Sequence, residues 1–195
     1  MDYSKGDLMA AKRYQDLGRF HLPSGFRGKG RLFVQFWWVI QSTLFGCSPQ
    51  FMYRWRAFLL KLFGASIGCD VLIRPSARVT YPWKVSLVDR SWVGDDVTIY
   101  SLAEIKIGSD VVISQRSYIC SATHDHLRPT FDLIGKPVTI EDEVWVATDV
   151  YVAPGITICK GAVVGARSSV FHNIPEGTVS IGSPAKVIKR RKVNG

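Results

Sequence analysis

The chain has 195 residues, of which 47% are apolar and 21% charged; that balance fits one domain with a short extension and excludes wholesale disorder. A formal net charge of +9 favours polyanions in general, whether nucleic acid, anionic lipid or a phosphorylated cofactor, without choosing among them. The four cysteines Cys47, Cys69, Cys120 and Cys159 form no CxxC pair, which excludes a dense secreted disulfide scaffold and reads as reduced, partly buried thiols of a cytoplasmic protein.

Residues 1–10 contain Asp2 and Asp7 and no apolar core of an export signal, so none is expected. Residues 1 to about 30 are broken by Gly6, Gly18, Pro23, Gly25, Gly28 and Gly30 and read as an extended, loosely ordered arm. Residues 31–63 are aromatic and basic. Ser48 and Pro49 divide them into two expected helices, roughly 31–45 and 50–63, the second stopped by Gly64. Neither apolar run reaches the ~20 residues of a membrane span. Two readings stand. In one the helices cover an end of the next domain. In the other they form an interfacial pair in peripheral membrane contact, with Trp37, Trp38 and Trp55 at the headgroups and Arg54, Arg56 and Lys61 facing anionic lipid. The segment 1–64 is thus set apart from a second unit, 65–195.

Residues 65–182 carry an internal repeat. Aliphatics recur every six positions: Ile67, Ile73, Val79 and Val85; Leu87, Val93, Ile99 and Ile105; Ile107, Ile113 and Ile119; then Ile140, Val146, Val152, Ile158, Val164 and Val170. A small residue often follows, as at Gly68, Gly94, Gly108, Ala147 and Gly165. A period of six is neither helical nor that of a simple strand. It suits a triangular solenoid in which each hexapeptide makes a short strand and a corner, about 18 residues form a coil, and stacked coils bury an aliphatic column. The expected fold is therefore mainly β, a parallel β-helix of five to six coils. Two residues interrupt the phase at Val85–Leu87 and again at Ile105–Ile107.

The rule fails from Asp125 to Pro137, so loop 125–137 must leave the prism, and loops on rigid scaffolds collect binding residues. His124 stands at that break. A histidine so placed can serve as a general base, because imidazole titrates near neutrality. A surface histidine is the plainer alternative. Asp125 either orients that ring or simply forms a turn. Gly182, Ser183 and Pro184 end the solenoid, and 185–191 is a basic tail or short helix lying back along the coils.

From Ile67 to Arg191 the chain resembles the hexapeptide-repeat acyltransferase superfamily, which includes galactoside, maltose and serine acetyltransferases. Closer resemblance to the colanic-acid-biosynthesis type of O-acetyltransferase lies in IRPSARVTYPWKVSL at 73–87, ISQRSYIC at 113–120, THD at 123–125, VWVATDVYVAPGITI at 144–158, GAVVGARSSV at 161–170 and GSPAKVI at 182–188, with the aromatic stretch around 34–65 in support. The resemblance implies a left-handed β-helix and a homotrimer with active sites between subunits. It implies acetyl-CoA as co-substrate, a sugar or glycan hydroxyl as acceptor, no metal, and direct transfer without an acyl-enzyme. It places the catalytic base on His124. It places Trp145 at the acceptor or pantetheine end, Ala147 and Thr148 where a backbone amide faces the thioester oxygen, and Ala166 and Arg167 on the pantetheine arm. Pro184, Lys186 and Lys189 fall near adenine and phosphates. Trp145 packing between subunits and a merely solvated basic tail are the alternatives. The chain departs from the subgroup at SATHDH, where a glycine is more usual, which changes local backbone freedom. The acceptor pocket is unassigned; Tyr100, Ser101, Asp95, Asp96 and Glu104 are nearest in sequence.

Three rivals are weighed. A γ-class carbonic anhydrase shares the solenoid but needs three zinc histidines, and His21, His124, His126 and His172 lack the spacing. A non-catalytic scaffold binding membrane or a partner would use the N-terminal segment and leave His124 and the tail unexplained. Nucleic-acid binding is not expected, since no groove-reading motif is present.

Overall fold

The aliphatics of the six-residue repeat end up in strands of two to four residues, and these strands stack into three parallel sheets, the three faces of a prism, in a computed structural model that describes residues 13–193. The acidic opening stretch 1–10, expected to lack an export signal, lies outside the described residues. Three inward columns run along the axis. The first face contributes Ile67, Leu87, Ile107, Ile140 and Ile158. The second contributes Ile73, Val93, Ile113, Val146 and Val164. The third contributes Val79, Ile99, Ile119, Val152 and Val170. All are buried in one continuous core. The stack is the expected left-handed parallel β-helix.

Coil length departs from the expected 18. The register Ser66, Ser86, Lys106, Thr139, Thr157 counts successive coils of 20, 20, 33 and 18 residues. Every extra residue is inserted at one corner, between the third face and the first. There the first-face strands Val85–Leu87, Ile105–Ile107 and Val138–Ile140 lengthen to three residues and turn both ends inward, which explains the phase breaks. The other two corners use left-handed backbone. One stacks Asp70, Arg90, Asp110 and Glu143, the other Asp96, Arg116, Asp149 and Arg167, all at positive φ. Alternating charge offsets some of this strain: Arg90 pairs with Asp110 at 2.7 Å and Arg116 with Asp149 at 2.7 Å.

The small residue after the inward aliphatic is required by coil-to-coil approach. A Cβ on Gly94 would sit 2.8 Å from the Gln115 amide nitrogen, and one on Gly108 2.7 Å from that of Asp142.

The helical segment closes the open end of the prism. Helix α1, Arg31–Ile40, runs into a π-helical turn, Gln41–Phe45, and helix α2 spans Tyr53–Leu62. The second helix thus starts three residues later than expected, because Pro49 to Met52 form turns. Trp37, Phe45, Leu59, Leu60 and Phe63 join the prism core. The first coil has strand edges with no neighbour, and unpaired edge groups are costly when buried. Side chains from the helices take that place: Trp37 Nε1 donates to the Val79 carbonyl at 2.8 Å, Gln41 Oε1 accepts from the Val79 amide at 2.6 Å, and Arg56 Nε donates to the Ile73 carbonyl at 2.6 Å. Trp37 and Arg56 are fully buried, so they cannot face lipid headgroups as the interfacial reading placed them. Among the described residues no helix is long and apolar enough to cross a membrane.

At the far end the tail is a strand, not a helix. Lys186–Arg190 pairs antiparallel with Thr178–Ile181 on the second face. The arm is also better fixed than expected over its described part: Trp83 Nε1 donates to the Arg27 carbonyl at 2.6 Å, and Lys84 Nζ is shared by the Phe26 and Leu102 carbonyls. All four cysteines are unpaired, with Cys47 and Cys69 exposed rather than partly buried.

Candidate active site

The excursion leaves the prism at the widened corner and is a β-hairpin rather than a plain loop. Ala122–His124 pairs antiparallel with Leu133–Gly135, His124 opposite Leu133. His124 ends the outgoing strand. Its ring stacks on Phe131, with centroids 4.2 Å apart and planes within 7°. Its Nδ1 lies 2.8 Å from the Phe131 carbonyl oxygen. A carbonyl only accepts, so Nδ1 carries the proton and neutral imidazole presents its lone pair at Nε2. Phe131 holds its carbonyl there with φ +52.

Asp125 does not hold the ring. Its carboxylate accepts from the Leu127 amide at 3.0 Å and lies 3.7 Å from Arg128 Nε. This is the turn-forming role, and the orienting role falls to the Phe131 carbonyl. The arm also reaches the hairpin: the Asp16 amide donates to the Pro129 carbonyl at 2.7 Å, and the Phe20 ring stands 6.0 Å from His124. Phe20 and Phe131 were not singled out from sequence. Both lie outside the repeat, and only an aromatic isolated in a polar stretch hinted at them.

The residues matched to the donor gather elsewhere, along the second face and its edge. Trp145 is half-exposed on that face and donates from Nε1 to Ser114 Oγ at 3.1 Å. A groove of about 360 Å³ runs along the same face past Trp92, Ser114 and Gln115. Ala147 and Thr148 turn the edge, and Ala166 and Arg167 turn it one coil further on, since Val146 pairs with Val164. The two backbone amides of the first pair are not equivalent. Ala147 spends its N–H on the Val164 carbonyl at 2.9 Å. Among the described residues the Thr148 and Ala166 amides have no such acceptor, and they lie at equivalent positions of successive coils, about 4.8 Å apart by strand spacing. Arg167 is exposed and 3.9 Å from Asp149, whose carboxyl is held below the usual range chiefly by its hydrogen bond to Arg116. Pro184, Lys186 and Lys189 are exposed on the closing turn and strand beside this edge.

One chain does not bring these two groups together. His124 projects near the corner between third and first faces, and in a three-sided prism that corner is opposite the second face, where Trp145 points outward. Nor do the acidic candidates converge on His124: Asp95 is 3.3 Å from Arg74, and Glu104 is 3.5 Å from Lys106. Ser101 is fully buried, bonded to the Tyr81 backbone at 2.8 and 3.0 Å. Tyr100 packs in an aromatic row with Tyr118 and Tyr151, centroids 5.9 and 6.2 Å apart. Among the described residues no three of His, Cys, Asp or Glu are placed to hold a metal ion.

No protein-family model matches the chain. An Escherichia coli (strain K12) protein provisionally named colanic acid biosynthesis acetyltransferase WcaF is 56% identical over 177 residues, covering 91% of this chain and 97% of its own. Among solved structures, a maltose O-acetyltransferase from Clostridium difficile 630 superposes with TM-score 0.76 at 28% identity, covering 84% of this chain and 90% of that one. A galactoside acetyltransferase in complex with coenzyme A superposes with TM-score 0.76 at 24% identity, covering 87% and 84%. With 56% identity to a relative it covers almost end to end, the chain belongs to the colanic acid biosynthesis acetyltransferases, a branch of the hexapeptide-repeat β-helix acetyltransferases.

Proposed function

We propose that the protein transfers acetyl from acetyl-CoA to a hydroxyl of a sugar or glycan precursor, with His124 as general base. The observation that carries this reading is the Nδ1 contact to the Phe131 carbonyl at 2.8 Å, which leaves Nε2 as the acceptor of a proton. His124 takes the proton of the acceptor hydroxyl as that oxygen attacks the thioester carbon. The Thr148 N–H is the candidate donor to the developing oxyanion, a contribution of about 3 kcal/mol for one such donor. On collapse the carbon–sulfur bond breaks, and His124 returns its proton to the departing thiolate. The Ala166 amide suits the pantetheine arm, and Lys186 and Lys189 suit the phosphates.

The opposition of His124 to the second face supports a homotrimer, in which the hairpin of one copy meets Trp145 and the Thr148–Ala166 edge of its neighbour. Four unpaired thiols and a coenzyme A donor suit the cytoplasm. The test is thiol release from acetyl-CoA with glycan acceptors. His124→Ala should lower turnover at least about 100-fold, with coenzyme A binding retained. Near-normal turnover would remove His124 from the mechanism.

A further inference from the structure

We propose that the outward face of the helix pair at the prism's end docks on an anionic lipid surface: this is where exposed large apolar side chains and basic side chains lie together on helices too short to cross a membrane. Helix α1 is apolar on both sides. Inward it buries Val34 and Trp37; outward it shows Leu32 at 85%, Phe36 at 56% and Val39 at 59% exposure. A helix hydrophobic all round is ordinarily covered. Helix α2 buries Arg56, Leu59 and Leu60 and exposes Phe58 and Leu62 together with Arg54 and Lys61. Closure of the coil edge does not use this face, because Trp37, Gln41 and Arg56 complete it from the inner side.

Charge selects the occupant. Residues 17–69 hold seven lysines and arginines, of which Arg56 alone is fully buried, and no aspartate or glutamate; the first carboxylate beyond, Asp70, sits on a prism corner. Apolar groups interleaved with cations on short surface helices match the boundary of an anionic bilayer. A second copy meeting this face symmetrically would set like charges against each other. Each helix has ten residues, about 15 Å in length, so the pair lies along the surface. The inference is independent of the acetyl-transfer reading, and its test uses no turnover.

The full chain is sedimented with vesicles of phosphatidylcholine alone and of phosphatidylcholine mixed with phosphatidylglycerol. Binding is expected to the mixed vesicles only and to weaken as salt rises. Arg54→Gln/Lys61→Gln should lower affinity about 25-fold at low salt, about fivefold per charge, and Leu32→Ser/Phe36→Ser/Val39→Ser should abolish binding while melting and oligomeric mass stay as in the parent. The proposal is overturned if the parent ignores anionic vesicles, or if the triple variant binds like the parent. It is equally overturned if the triple variant changes the oligomeric mass of a chain that binds no vesicles, which would assign the face to another copy. Should the triple variant fail to fold, Leu32→Gln and the charge pair decide, and unchanged binding in both overturns it.

Discussion

Replacing Gly94 by alanine tests the claim that coil-to-coil approach, not backbone freedom, dictates the small residue after each inward aliphatic. The new Cβ would stand 2.8 Å from the Gln115 nitrogen, 3.0 Å from the Ile113 oxygen and 3.1 Å from the Ser114 carbonyl carbon. All three are backbone of the next coil and cannot swing aside. An ordinary contact needs about 3.4 Å or more, so two coils must part by several tenths of an ångström, through the bond from the Gly94 amide to Ile113 O at 2.8 Å. Overpacking of this kind costs about 1–3 kcal/mol, and for a chain of this size each kcal/mol lowers Tm by about 2–4 °C. With all three contacts on unyielding backbone the upper end applies, about 3 kcal/mol, and we expect a fall of roughly 6–12 °C by calorimetry. Gly177→Ala is the contrast. That site has φ +58 and nothing within 4 Å, so only left-handed strain applies, about 1 kcal/mol, and a fall of about 3 °C. A Gly94→Ala protein melting with the parent, or a larger fall for Gly177→Ala, would refute the close-approach argument.

Arg56→Met should destabilise by about 3–5 kcal/mol in urea. The guanidinium serves the carbonyls of Ile73, Pro49 and Gln50 and the Ser48 hydroxyl, and methionine leaves them unanswered; a variant as stable as the parent would show that the end of the prism needs no such closure. Burial pushes the Tyr118 phenol up to about 12 from its ordinary 10.0. The folded state therefore favours the neutral ring, so stability present below pH 10 is lost as pH rises through about 12. Denaturation across that window should show the fall, and Tyr118→Phe should flatten it; an unchanged slope would mean Tyr118 is not responsible.

The repeat was legible because its signal is local: each inward aliphatic reports its face by position alone, and Ile67 to Val170 lie as the period of six required. Coil length was not, since the two residues inserted before Leu87 and Ile107 take meaning only when all insertions are seen at one corner. The left-handed corners were equally hidden. Aspartate there is unremarkable, but Arg90, Arg116 and Arg167 adopt positive φ beside carboxylates supplied from neighbouring coils. At the site, the position of His124 followed from the break in the repeat, whereas its orientation depends on the Phe131 carbonyl seven residues away. The amide of Ala147 looked equivalent to that of Thr148 until the ladder bond to Val164 separated them. The helix pair was ambiguous because sequence cannot tell which aromatic faces inward; Trp37 is enclosed and its neighbour Trp38 is 41% exposed.

The uneven coil lengths of 20, 20, 33 and 18 residues govern which changes of length the molecule tolerates. Excising 86–105 removes one whole storey, and everything beyond it descends by a single rung of about 4.8 Å without rotating. Excising six residues from the faces and the left-handed corners would turn the upper part by a third of a revolution, carrying the imidazole and the donor edge out of step with the column below. Homologues of differing length should therefore change by complete turns, or only at the corner that already absorbs the excess.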